Sequence, residues 1–191
     1  MAVTTEQFCL NLHNGLIEQA RQSTCPHYDD RECDDIDLLV IHNISLPPSQ
    51  FGGPYIDQFF AGCLDPEVDR FFKEIAGIRV SSHLLIRRDG ELVQYVPFHK
   101  RAWHAGVSSF NGREKCNDFS IGIELEGTDE IPYEDIQYEV LAKVTKLLMT
   151  AYPKITQDRI TGHCNIAPGR KTDPGPAFDW EHYFRFLPDF E

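Results

Sequence analysis

Residues 119–127 read FSIGIELEG, with Phe119, Ile121, Ile123 and Leu125 separated by small or acidic residues. A period of two describes a β-strand with one face on a core and the other free to present Glu124 and Glu126. Shortly after it, residues 134–152 place Ile136, Val140, Leu141, Val144, Leu147 and Leu148 at helical spacing, which predicts a long amphipathic helix. A strand followed by a helix able to cover it is a building unit of an α/β fold.

Other segments extend this unit. DLLVIHN (37–43) is a short aliphatic run ending in a polar pair, which predicts a buried strand with His42 at its carboxyl end. SHLLIRRDGELVQYVP holds two strand-like runs around Asp89-Gly90, a strong hairpin signal. Phe8, Leu12, Leu16 and Ile17 predict a helix over 5–22. Shorter helices are predicted over 54–62, over 66–76 and in the closing FDWEHYFRFL. STCPHYDDRECDD and SLPPSQFGGPY, rich in turn formers, are expected to be loops. The sum is a single domain over 1–191 of class α/β: a central mixed β-sheet of about four strands, packed by helices.

A formal charge of −12 argues against nucleic acid as partner, because a phosphate backbone calls for a basic face. It also disfavours an anionic membrane surface, and no apolar run reaches the roughly 18–20 residues that span a bilayer. The first residues show no basic segment leading into an apolar one, so a cytoplasmic protein is expected. Six cysteines without a C-x-x-C pair are expected to be free and mostly buried thiols.

The candidate chemistry lies in histidines. Most of the eight are read as surface or hydrogen-bonded residues. His42 stands apart because strand ends in α/β folds commonly carry functional groups. His163 stands apart because it opens GHCNIAPGRKTDPGP (162–176), where three glycines and three prolines predict neither helix nor strand. Asp173 lies ten residues beyond it on the same segment. Two imidazoles and a carboxylate form a plausible ligand set for catalytic zinc with one position left for water, although the spacing matches no H-E-x-x-H signature.

Longer stretches carry a resemblance. VIHNISLPP, FGGP, DP, RVSSHLLIRRDGELVQYVPFHKRAWHAGVSSF, GREKCNDFSIGIELEGTD and TGHCNIAPGRKTDPGP together resemble the zinc-dependent N-acetylmuramoyl-L-alanine amidases, a family that also includes phage amidases and animal peptidoglycan-recognition proteins. The resemblance runs from about residue 25 to 180 and is closest to the cytoplasmic branch that recycles cell-wall fragments. It implies one Zn²⁺ per chain on His42, His163 and Asp173, with Glu124 and Lys171 as the catalytic pair and Glu126 ranked behind Glu124. Some relatives carry cysteine as third ligand; Cys164, adjacent to His163, is assigned a structural role instead. The implied substrate is a 1,6-anhydro-muropeptide, cut between N-acetylmuramic acid and L-alanine. Asn43, Arg79, Trp103 and Lys115 are the candidate substrate contacts, Arg101 and Arg113 lie near the same motifs, and His104 is read as a packed loop histidine rather than as a donor behind the metal ligands. A monomer is expected. The alternative is a module of the same fold that binds peptidoglycan without cleaving it.

Overall fold

The computed structural model describes residues 7–32 and 35–187. Its central sheet has six strands: β1 (Arg21–Gln22), β2 (Leu38–Ile44), β3 (Leu84–Ile86), β4 (Leu92–Gln94), β5 (Ser120–Glu126) and β6 (Ile160–Gly162). They lie in the order β6-β2-β5-β3-β4-β1. The first four in that order run parallel; β3 and β4 form the antiparallel hairpin expected around Asp89-Gly90, and β1 joins β4 in parallel. The helices are α1 (Tyr55–Phe60), α2 (Arg70–Ile75), α3 (Asp135–Ala151), α4 (His163–Ile166) and α5 (Trp180–Arg185).

The alternation in β5 decides which face is covered by what. Ile121, Ile123 and Leu125 join Leu39, Ile41, Leu84 and Ile86 beneath Val140, Leu141, Val144 and Leu148 of α3. Gln137, fully buried at the start of α3, donates through Nε2 to the carbonyls of Ile86 (3.2 Å) and Glu126 (3.1 Å), which ties the helix to the ends of β3 and β5. The other face of the sheet carries two separate apolar clusters. Leu85 and Val93 pack under Ile56, Phe60 and Phe72 of α1 and α2. Leu38 and Val40 pack with Phe119, Cys116 and Ile166. In β2, Val40 belongs to one cluster and Ile44 packs on the other, so His42, between them on the same face, looks into the gap. That gap opens at the carboxyl ends of β6, β2 and β5, where open α/β sheets place ligands.

Several expectations are corrected. No helix forms within residues 7–22; Leu10–Asn11 pairs antiparallel with Leu16–Ile17, and Arg21–Gln22 is the sheet edge. The local cause is Asn14-Gly15: Gly15 has φ +70°, and Asn11 Oδ1 accepts the His13 N–H at 3.0 Å, so a turn replaces the helix. Residues 5 and 6 of that expectation lie outside the described residues. Phe119 does not share the face of Ile121, because β5 begins at Ser120 and Phe119 ends a 3₁₀ turn. The second short helix begins only at Arg70, where Asp69 accepts the Phe71 N–H at 2.8 Å. Residues 162–176 do contain one helical turn, α4. Among the described cysteines none is bridged, but only Cys25 and Cys116 are buried; Cys9 and Cys63 are exposed, and Cys33 lies outside the described residues. No helix among the described residues is long and apolar enough to cross a membrane.

Candidate active site and metal centre

The register of the parallel strands builds the site. Glu124 on β5 pairs directly with His42 on β2, so the two side chains project from the same face, side by side. β6 pairs Gly162 with Ile41 and hands the chain to His163 at the first position of α4. The Gly/Pro segment then turns back, and the Cys164 N–H donates to the Asp173 carbonyl at 2.9 Å. This closes residues 163–173 into a loop with both polar ends together. Gly162 is needed there, since a Cβ would come within 2.8 Å of Pro174 Cδ.

The three side chains converge on one point. His42 Nδ1 lies 3.0 Å from His163 Nδ1 and 2.9 Å from Asp173 Oδ2, and His163 Nδ1 lies 3.0 Å from the same oxygen. Both imidazoles are buried and the carboxylate is 14 % exposed. His163 Nε2 faces the Ala105 carbonyl at 3.1 Å. A carbonyl only accepts, so that nitrogen carries a proton, and a ring with that single proton turns a bare Nδ1 to the cluster. Edges near 3 Å are the scale on which metal–ligand bonds of about 2.0–2.2 Å gather three donors. The chemistry of the donor set fits a divalent cation.

The electrostatics of the cluster suit a cation. Burial drives His42 down to about 4 against the opposing pull of Asp173. Burial also pushes the Asp173 carboxyl up, but the His163 and His42 imidazoles packed against it outweigh burial and hold the group well below the usual carboxylate range. Glu124 is raised well above its ordinary value, first by burial and then by the charge of Asp173, with Lys171 acting in the opposite sense. Its Oε2 is shielded from solvent and has no hydrogen-bond partner. A buried carboxylate oxygen left unpaired beside three potential ligands is poised to take a proton. Lys171 lines the same cavity of about 420 Å³, is itself exposed, and makes no salt bridge among the described residues. Residues 32–176 match the N-acetylmuramoyl-L-alanine amidase family.

The chain belongs to that family.

The amidase is 64% identical over 170 residues to the 1,6-anhydro-N-acetylmuramyl-L-alanine amidase AmpD of Salmonella typhimurium, a span covering 88% of this chain and 90% of the relative. A crystal structure of a selenomethionine AmpD derivative is similar with a TM-score of 0.91 at 59% identity, over 94% of this chain and 99% of that one. The Escherichia coli N-acetylmuramyl-L-alanine amidase AmiD, solved with the substrate anhydro-N-acetylmuramic acid-L-Ala-D-γ-Glu-L-Lys, gives a TM-score of 0.58 at 29% identity, over 82% and 60%.

The structure of this amidase separates the other sequence candidates. Asn43 lines the cavity, but its amide nitrogen is engaged by Asp129 Oδ1 (2.8 Å) and the Pro174 carbonyl (3.0 Å). It ties the end of β2 to the residue after Asp173. Arg79 is exposed between Ile78 and Val80, which line the cavity, and has no ion pair among the described residues. Trp103 is not among the residues lining the cavity: its ring stacks on His27 at 6.2 Å and its N–H donates to Asp29 at 3.1 Å. Lys115 lines a neighbouring depression with Arg170. Arg101 is held by Asp29 and Asp118, and Arg113 by Asp35 and Asp37.

Glu126, two residues beyond Glu124 on the same face, has a different task. Its Oε1 accepts the Gly52 N–H at 2.7 Å and pairs with Arg87 at 3.3 Å, while Oε2 accepts the Arg88 N–H at 3.2 Å. It therefore clamps the loop after β2 to the end of β3. Glu126→Ala is expected to lower stability by about 2–3 kcal/mol, below a full buried-pair loss because Arg87 keeps Asp57 and Glu91. Urea denaturation measures this; a change under 0.5 kcal/mol would mean that the clamp is idle.

His104 was the residue underestimated by sequence. It is buried, with Nδ1 at 2.9 Å from His42 Nε2 and Nε2 at 3.0 Å from Ser120 Oγ. Its only sequence signal is its place beside Trp103 in the WHAG stretch, which says nothing of a partner 62 residues away.

Proposed function

We propose that this chain is a zinc-dependent amidase that hydrolyses the bond between 1,6-anhydro-N-acetylmuramic acid and the L-alanine of a stem peptide, with the whole chain 1–191 forming one amidase domain. The observation that carries this is the convergence of His42, His163 and Asp173 beside the unpaired carboxylate of Glu124. The names of the similar AmpD and AmiD enzymes support the substrate class.

His42, His163 and Asp173 would hold the ion, and Zn²⁺ there would supply Lewis acidity and would acidify the attacking water. Glu124 takes a proton from the attacking water and returns it to the departing alanine nitrogen. Its raised pKa suits both halves of that exchange. Lys171, two residues from Asp173 at the cavity mouth, donates to the oxygen on which negative charge develops. Asn43 and Arg79 flank this cavity as substrate contacts, and Lys115 meets the more distant part of the peptide. In the cytoplasm the reaction would clear anhydro-muropeptides recovered from the wall. Where a bacterium carries an inducible β-lactamase, it would lower the inducing signal.

Lys171→Ala is expected to reduce kcat by about 10²–10³-fold and leave zinc affinity unchanged. Because Lys171 lowers the Glu124 pKa, its removal also moves the acid limb of the kcat profile to higher pH. A profile that loses height without shifting would separate Lys171 from Glu124.

The function is tested by incubating purified protein with 1,6-anhydro-N-acetylmuramyl-tripeptide before and after chelation. Tripeptide release that vanishes on chelation and returns with Zn²⁺ supports the proposal. Zinc bound without release would favour a module that binds peptidoglycan without cleaving it.

A further inference from the structure

The two ligand histidines are supported differently. His163 gives its outer N–H to a main-chain carbonyl, which fixes its tautomer. His42 has no such acceptor. Its Nε2 faces Nδ1 of His104 at 2.9 Å, and His104 Nε2 faces the Ser120 hydroxyl at 3.0 Å. Two imidazole nitrogens in contact share one proton, and a hydroxyl can donate or accept.

The chain His42–His104–Ser120 therefore has two arrangements with the same number of protons. In one, Ser120 donates to His104 Nε2, His104 Nδ1–H donates to His42 Nε2, and His42 Nδ1–H points at Asp173. The metal position is then filled by a proton. In the other, His42 Nε2–H donates to His104 Nδ1, His104 Nε2–H donates to Ser120 Oγ, and His42 Nδ1 is bare. Only the second leaves three lone pairs on the cluster.

We infer that His104 and Ser120 are positioning residues of the metal centre, which accept the outer proton of His42 and so hold its Nδ1 open for the ion. The inference rests on the zinc reading above. The surroundings are built for it. Ser120 is fully buried, and the main-chain N–H groups of His104 and Ala105 both donate to Asn117 Oδ1, at 3.1 and 2.8 Å. Residues 104–105 thus carry the outer partners of both ligand imidazoles. Gly122 leaves room for the ring, since a Cβ there would lie 2.5 Å from His104 Cγ.

The experiment is a zinc titration against a chromophoric chelator on wild type, His104→Ala, His104→Asn and Ser120→Ala, with thermal melting of each metal-free protein. His104→Ala should weaken zinc by about 10–100-fold, and Ser120→Ala should weaken it by less. His104→Asn should bind within about 3-fold of wild type, its side-chain carbonyl standing where Nδ1 stood. A purely structural role would lower the melting temperature and leave zinc affinity unmoved, which would overturn the inference. Should His104→Ala fail to fold, Ser120→Ala and the ¹⁵N shifts of the zinc-bound His42 ring decide: a protonated Nε2 supports the inference, and wild-type affinity in Ser120→Ala overturns it. Wild type that takes up no zinc would instead remove the zinc reading and this inference with it.

Discussion

Glu124→Gln lowers turnover by about 10²–10⁴-fold and at the same time makes the metal-free protein more stable at neutral pH. Both effects come from one property. The carboxyl is raised by burial and by the neighbouring charge of Asp173, and its Oε2 finds no donor. A group with a raised folded-state pKa favours the native protein fully below its unfolded value, about 4.3 for glutamate. That contribution is lost as pH rises toward the folded value. A neutral amide of nearly the same shape escapes the loss but accepts no proton. The stability gain should thus be absent near pH 4 and grow above it. Denaturant melts of both metal-free proteins at several pH values, read beside kcat, measure the two together. A variant less stable than wild type at neutral pH would mean that the carboxylate is paired in solution.

Asp173→Ala is expected to weaken zinc by more than about 100-fold, since loss even of an outer partner of a ligand costs about 10–100-fold. Activity should fall to background with it. Asp173→Cys is the informative partner: a thiolate is a good zinc ligand at about 2.3 Å, so metal should be kept. If alanine at 173 leaves zinc bound as tightly as wild type, Asp173 is a partner of the two histidines and not a ligand. The metal-free Asp173→Ala protein should also be less stable than wild type at neutral pH. The His163 and His42 imidazoles against it outweigh burial and hold the carboxyl low. A depressed carboxylate stabilises above its unfolded value, and the contribution fades as pH falls, so this deficit should shrink in acid.

Sequence legibility followed physical range. The alternation in residues 119–127, the Asp89-Gly90 hairpin and the helical spacing over 134–152 are local patterns, and each appears as an element. His42 at a strand end and Asp173 on the Gly/Pro segment were singled out by local setting, and the fold brings them to His163 within 3.0 Å. The helix expected over 5–22 failed because Asn14-Gly15 turns the chain, a stronger local signal than four apolar residues at approximate spacing. Strands of two or three residues, such as β1 and β6, are too short to leave a period. Alternation also made Glu124 and Glu126 equivalent; only Arg87, from a different strand end, tells them apart. Trp103 looked free for a sugar because the sequence does not show that His27 and Asp29 engage it.

The position of β6 has a consequence for how the protein is made. It is the last strand among the described residues, yet it lies at the sheet edge against β2, which is synthesised more than a hundred residues earlier. The other five strands can pair without it. His163 and Asp173, however, follow β6 in the chain, so a growing polypeptide carries His42 and Glu124 well before it can bring the other two proposed ligands beside them. On the proposed zinc reading, metal capture waits until β6 and the segment after it have joined a sheet whose other strands are already made.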